Sequence, residues 1–105
     1  MRFVETPIFT AAIRLLLPDE EYRAFQSALL LRPEQGVIIP GSGGLRKIRW
    51  AGRSHGKRGG IRVIYFWYVT DDAFYMLFAY AKGTQADLTP AQVKRLRGLV
   101  KEEME

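Results

Sequence analysis

The chain has no cysteine and a single histidine among its 105 residues. The first absence excludes disulfides, thiolate metal sites and a cysteine nucleophile. The second excludes any mechanism that needs two imidazoles. No apolar stretch approaches the roughly 20 residues that a membrane span requires. The opening Met-Arg-Phe-Val-Glu is broken by charge too early to lay out a signal peptide. The expected location is the cytoplasm, with no membrane partner. Nothing repeats, and no low-complexity linker divides the chain, so one domain over residues 1–105 is expected; that length supports one hydrophobic core and not two. A hydrophobic fraction of 48% with 12% aromatics belongs to a folded protein and not to a disordered one.

Acids are missing where bases are densest. The net charge is +5, yet residues 1–40 carry −1 and residues 63–105 carry −1. Between them stand Arg46, Lys47, Arg49, Arg53, Lys57, Arg58 and Arg62 with no carboxylate at all. A surface tuned for solubility mixes its signs along the chain. An excess confined to one fifth of it points to a polyanionic partner; a basic patch without a ligand, or one that meets an acidic protein, is the plainer alternative.

The remaining sequence lays out an α+β pattern. Phe3-Val4 is a short apolar run, and Thr6-Pro7 then opens a helix, with Thr6 as N-cap and Pro7 at the first helical position. Ile8, Ala11, Ala12, Leu15 and Leu16 recur at helical spacing. Pro18 ends that helix and Asp19 caps a second, which ends near Leu31 and whose apolar face is Tyr22, Phe25 and Leu29, with Leu30 as an optional fourth member. Two prolines and four glycines make Arg32 to Gly44 a loop. Leu45–Ala51 and Ile61–Val69 then read as strands, and Phe74–Ala81 as the return strand of a hairpin. Thr89-Pro-Ala-Gln92 has the form of a capping box, opening a last helix with Val93, Leu96, Val100 and Met104 as its buried stripe. The order β-α-α-β-β-β-α predicts an antiparallel sheet with helices on one face and the other face free.

The chemistry is concentrated in Gly41-Ser-Gly-Gly-Leu-Arg-Lys-Ile-Arg49 and Gly56-Lys-Arg-Gly-Gly-Ile-Arg62. Many of these cations sit within or beside predicted strands, and the flanking glycines permit close backbone approach to a ligand. No Gly-Lys-Ser/Thr occurs, which argues against a P-loop. Strand alternation puts Lys47 and Arg49 on one face and Arg46 on the other. Arg62 can join the first pair across the sheet. Arg46 is either a ligand contact or a capping residue beneath the sheet.

Leu45-Arg-Lys-Ile-Arg49, Gly56-Lys-Arg-Gly-Gly60, Arg62-Val-Ile-Tyr65 and Tyr80-Ala-Lys82 resemble, in order and spacing, the HigB-like branch of the RelE/ParE toxin superfamily. The likeness extends to Asp-Glu-Glu-Tyr at residues 19–22 and to Asp87-Leu88. It implies a RelE-like fold and the toxin of a type II toxin–antitoxin pair, restrained by a cognate antitoxin protein. The activity it implies is ribosome-dependent, metal-independent cleavage of mRNA, with contact to ribosomal RNA and no cofactor. By the same resemblance the catalytic cations are Lys47, Arg49, Lys57, Arg62 and Lys82. Several RelE relatives use a tyrosine beyond the last strand; no tyrosine follows Tyr80 here.

Cleavage of this kind needs a base for the attacking 2′-hydroxyl, stabilisation of the new negative charge, and an acid for the leaving oxygen. The basic segment holds no carboxylate cluster for a two-metal site, so cations must carry the work, arginines at the transition state and a lysine in proton transfer. Arg46, Arg53, His55, Arg58, Trp67 and Tyr80 are the candidate RNA contacts. His55 is a solvated loop residue in the plain reading and a substitute base in the sharper one. Trp67 and Tyr80 are chosen as stacking platforms from strands whose aromatics are otherwise core pairs. Lys94-Arg-Leu-Arg97 reads as the solvated side of the last helix, ribosomal RNA contact being its alternative. A ParE-like gyrase inhibitor and an RNA-binding module without catalysis are the competing functions.

Overall fold

The computed structural model describes residues 1–51 and 60–104. The chain runs β1 (Arg2–Glu5), α1 (Pro7–Leu16), α2 (Asp19–Leu31), β2 (Val37–Ile38), β3 (Arg46–Trp50), β4 (Ile61–Tyr68), β5 (Ala73–Ala81) and α3 (Pro90–Met104). The five strands form one sheet in the order β1-β5-β4-β3-β2. All neighbours are antiparallel except β1, which runs parallel to β5 in the register Arg2↔Ala73 to Glu5↔Met76. The expected α+β class and element order hold, with the short edge strand β2 added.

The helix starts follow the sequence closely. Thr6 Oγ1 accepts the N–H of Phe9 at 3.0 Å and donates to the carbonyl of Leu77 at 3.0 Å, so one hydroxyl caps α1 and ties it to β5. At α3 the capping box is complete: Gln92 N–H donates to Thr89 Oγ1, and Thr89 N–H to Gln92 Oε1. For α2 the expectation fails by one residue. Pro18 is the N-cap, without a side-chain hydrogen bond, and Asp19 is the first helical residue. Asp19, Glu20 and Glu21 still occupy the first turn, where their charge complements the helix dipole.

The two faces of the sheet bury different elements. Under α1 and α2 lie Phe9, Ile13, Leu17, Phe25 and Leu29 against Ile48, Val63, Tyr65, Phe74 and Met76. The buried stripe of α1 is Phe9 and Ile13, with Ala12 and Leu16 packed beside them as expected, whereas Ile8 and Leu15 are exposed. The opposite face is not free as expected: Leu96 and Val100 of α3 pack on Leu45, Ile64, Tyr75 and Leu77. The side chain of Met104 falls outside the described part. Among the described residues no helix is long and apolar enough to cross a membrane.

Candidate functional site

Beyond the stretch covered by α3, the second sheet face is cationic. Pairing aligns Arg49 of β3 with Arg62 of β4, and Arg62 with Tyr80 of β5. These three therefore form one cross-strand row, since directly paired residues share a face. Lys47, two residues before Arg49, projects to the same face in the next row, with Ile64 and Phe78. Two arginines directly opposite one another repel, at a cost to the sheet, and a bound anion would relieve it.

Polar bookkeeping marks the same place. Arg62 Nη1 and the Tyr80 hydroxyl are buried and have no hydrogen-bond partner among the described residues. Buried polar groups nearly always find one, so two orphaned donors on one row are an unmet demand for an acceptor. Trp50 Nε1 is also unpartnered, but it belongs to the α1/α2 face, where the ring meets Phe25 edge-on at 5.4 Å. Burial, then the Asp87 charge, pushes the Tyr80 phenol above its ordinary range, with Arg62 opposing. At neutral pH Tyr80 is therefore a hydrogen-bond donor and not a base.

Asp87, named in the sequence only as part of the Asp87-Leu88 likeness, is the residue of the site to which sequence reasoning gave no role. Lys47 Nζ donates to its Oδ1 at 3.0 Å, and the same oxygen accepts the N–H of Leu88 at 2.8 Å. The Lys47 hydrogen bond, followed by that of Leu88, holds its carboxyl below the usual carboxylate range. Its signal was its place just ahead of the Thr89 cap, but no local pattern pairs it with a lysine 40 positions away. Among the described residues Lys47 alone of this face has a carboxylate partner; Arg49, Arg62 and Lys82 have no ion pair.

Lys82 follows directly on β5, exposed, its backbone N–H reaching the carbonyl of Gly60. Three expectations need correction. Arg46 lies on the α1/α2 face, paired with Tyr65, and donates through Nη1 to the carbonyls of Glu34 at 2.9 Å and Gly36 at 2.8 Å; it fastens a loop and leaves the cationic row. Trp67 pairs with Phe74 and packs on the α1/α2 core, away from Arg62. Tyr80 is on the right face but only 4% exposed, so its ring is no stacking platform. Arg53, His55, Lys57 and Arg58 lie outside the described residues. No three of His, Cys, Asp and Glu among the described residues come together as a metal site.

The architecture, a mixed five-stranded sheet with a helical pair on one face and a terminal helix on the other, is a RelE-like α+β fold. A structure of the E. coli toxin RelE, a double arginine-to-alanine variant in the free state, matches it with a TM-score of 0.57, covering 80% of this chain and 85% of that one at 13% sequence identity. At that identity the likeness establishes the fold. No protein-family model matches the chain.

Proposed function

We propose that this protein is a HigB-like toxin of a type II toxin–antitoxin pair, a metal-independent endoribonuclease that cuts mRNA on the ribosome in the cytoplasm. A cognate antitoxin protein would hold it inactive, and ribosomal RNA would help to seat it. The observation that carries this reading is the Arg49–Arg62–Tyr80 row, whose Arg62 Nη1 and Tyr80 hydroxyl lack partners among the described residues. A phosphodiester supplies what those groups lack: non-bridging oxygens that accept hydrogen bonds and carry charge. The sequence resemblance and the fold of the RelE structure agree with it.

In this reading the strand lies across β3, β4 and β5. Arg62 and Tyr80 donate to the non-bridging oxygens, and Arg49 adds charge stabilisation as the 2′-oxygen attacks phosphorus. The bond from phosphorus to the 5′-oxygen breaks as the 2′-oxygen–phosphorus bond forms, leaving a 2′,3′-cyclic phosphate; water takes the 2′-hydroxyl proton and supplies one to the leaving oxygen. An arginine fork binds such oxygens in two-pronged fashion and strengthens as negative charge builds in the transition state. Lys47, oriented by Asp87, and Lys82 stand at either side of the row as cations for the attacking and leaving oxygens. Lys57 keeps the catalytic role that the resemblance gives it, and Arg53, His55 and Arg58 their role as RNA contacts.

A translation extract tests the proposal. The wild-type protein should leave messages cut within codons when ribosomes are present, and Arg62→Ala should lower that cleavage by about a hundredfold or more, as loss of a transition-state donor does. Intact messages with blocked DNA supercoiling would instead mark a gyrase inhibitor. RNA binding without cleavage would mark a binding module.

A further inference from the structure

One side of helix α3 carries only bases. Lys94, Arg97 and Lys101, three and four residues apart, make one exposed stripe, whereas Glu102 and Glu103 border a different cavity together with Glu5. The basic stripe faces a groove. Lys94 and Arg97 line a cavity of about 540 Å³ against Ile39, Pro40 and Gly41. Arg97 and Lys101 line a second of about 240 Å³ with Ser42, Gly43 and Phe66. Arg97 borders both, so the two lie side by side, and no carboxylate among the described residues lines either.

The far wall is a built loop. Ser42 is buried, its hydroxyl donating to the carbonyl of Ile39 at 2.5 Å and accepting the N–H of Leu45 at 3.0 Å. Gly43 has φ +77°, and a side chain there would come within 3.2 Å of Arg97 Nε; glycine is what lets the backbone approach the guanidinium. The groove neighbours the cationic row along the chain. Leu45 on its floor precedes Lys47 by two residues along the chain, a step of about 7 Å in extended backbone. Leu88 and Pro90 border the larger cavity, immediately after the Asp87 that holds Lys47.

We infer that this groove is a second RNA subsite, which takes the single strand running on from the Arg49–Arg62–Tyr80 row and binds its phosphates through Lys94, Arg97 and Lys101. The inference rests on the reading of that row as an RNA face. Nearness to the row along the chain favours RNA over an acidic protein segment as the occupant.

The test uses the full chain and 2′-O-methyl RNA, which lacks the attacking hydroxyl, in lengths of about 4 and about 15 nucleotides, the range of single-strand site sizes. Fluorescence anisotropy is read across a salt series. The triple variant Lys94→Gln, Arg97→Gln, Lys101→Gln should bind the longer RNA about a hundredfold more weakly near 0.1 M salt, with a salt slope lower by about two, because each single-strand phosphate contact contributes about 0.7. It should bind the shorter RNA as the wild type does, while Arg62→Ala weakens both. An unchanged affinity and slope on the longer RNA overturns the groove, and so does an equal loss on both lengths, which would mean a diffuse field. If the wild type binds neither RNA, the reading of the row has failed and the groove falls with it. If it binds both as expected yet cuts nothing on ribosomes, cleavage has failed while the groove stands.

Discussion

Tyr80 separates stability from chemistry at the level of a single atom. Its hydroxyl is buried without a partner among the described residues, and such a group costs about 1–3 kcal/mol relative to an apolar replacement. Tyr80→Phe should therefore raise the stability, by about 1 kcal/mol in urea denaturation, and lower mRNA cleavage by about a hundredfold, the usual cost of an oxyanion donor. A stable variant with full activity would remove Tyr80 from the site. Asp87 works in the opposite sense, since its charge competes with phosphate for Lys47. Asp87→Asn should tighten binding of uncleavable RNA by about two- to fivefold, from the 0.2–1 kcal/mol of an exposed pair. The pH dependence has a definite sign. A carboxyl held below its ordinary range adds stability above about pH 4, and that contribution is lost as pH falls through the lowered value. The small stability gap between wild type and Asp87→Asn, read from urea midpoints, should close in acid and be open at neutral pH.

Among the elements, Arg46 and Tyr65 make a clamp. Tyr65 donates to the carbonyl of Pro33 at 2.7 Å and accepts the N–H of Gly36 at 2.9 Å, while its strand partner Arg46 takes the carbonyls of Glu34 and Gly36. Together they moor the connection from α2 to β2. Arg46→Ala should then cost about 1–2 kcal/mol of stability, given charged hydrogen bonds that are partly open to solvent, and leave affinity for RNA nearly unchanged; Arg49→Ala should do the reverse. What the sequence made legible here was local. The Thr6 cap, the capping box at Thr89 and the alternation that unites Lys47 with Arg49 all lie within a few residues of the groups they organise. Arg62 joined them because β4 pairs antiparallel with β3. The covering of the second face by α3, the parallel edge made by β1 and the Asp87–Lys47 pair depend on contacts between elements far apart in the chain, which no local period encodes. The partly misassigned stripe of α1 has a similar cause: Ile8 and Leu15 have helical spacing, but the sheet receives Phe9 and Ile13.

Across the whole molecule, charge separation and strand order act together. Three of the seven cations that residues 41–62 hold without an acid, Lys47 and Arg49 of β3 and Arg62 of β4, are brought to one face by strand pairing, and α3 adds a basic stripe of its own. The order of those strands has a temporal side. β1 is made first, yet it docks on β5, and Thr6 bonds to Leu77 across 71 positions. Closing so long a loop must wait for its distant end. While the chain is being synthesised, β1 has no edge to join, and the row that needs β3, β4 and β5 together is incomplete. A nascent chain thus carries no finished cutting surface. On the proposed function, the ribosome producing this protein is spared by the topology of its own product until β5 has been made.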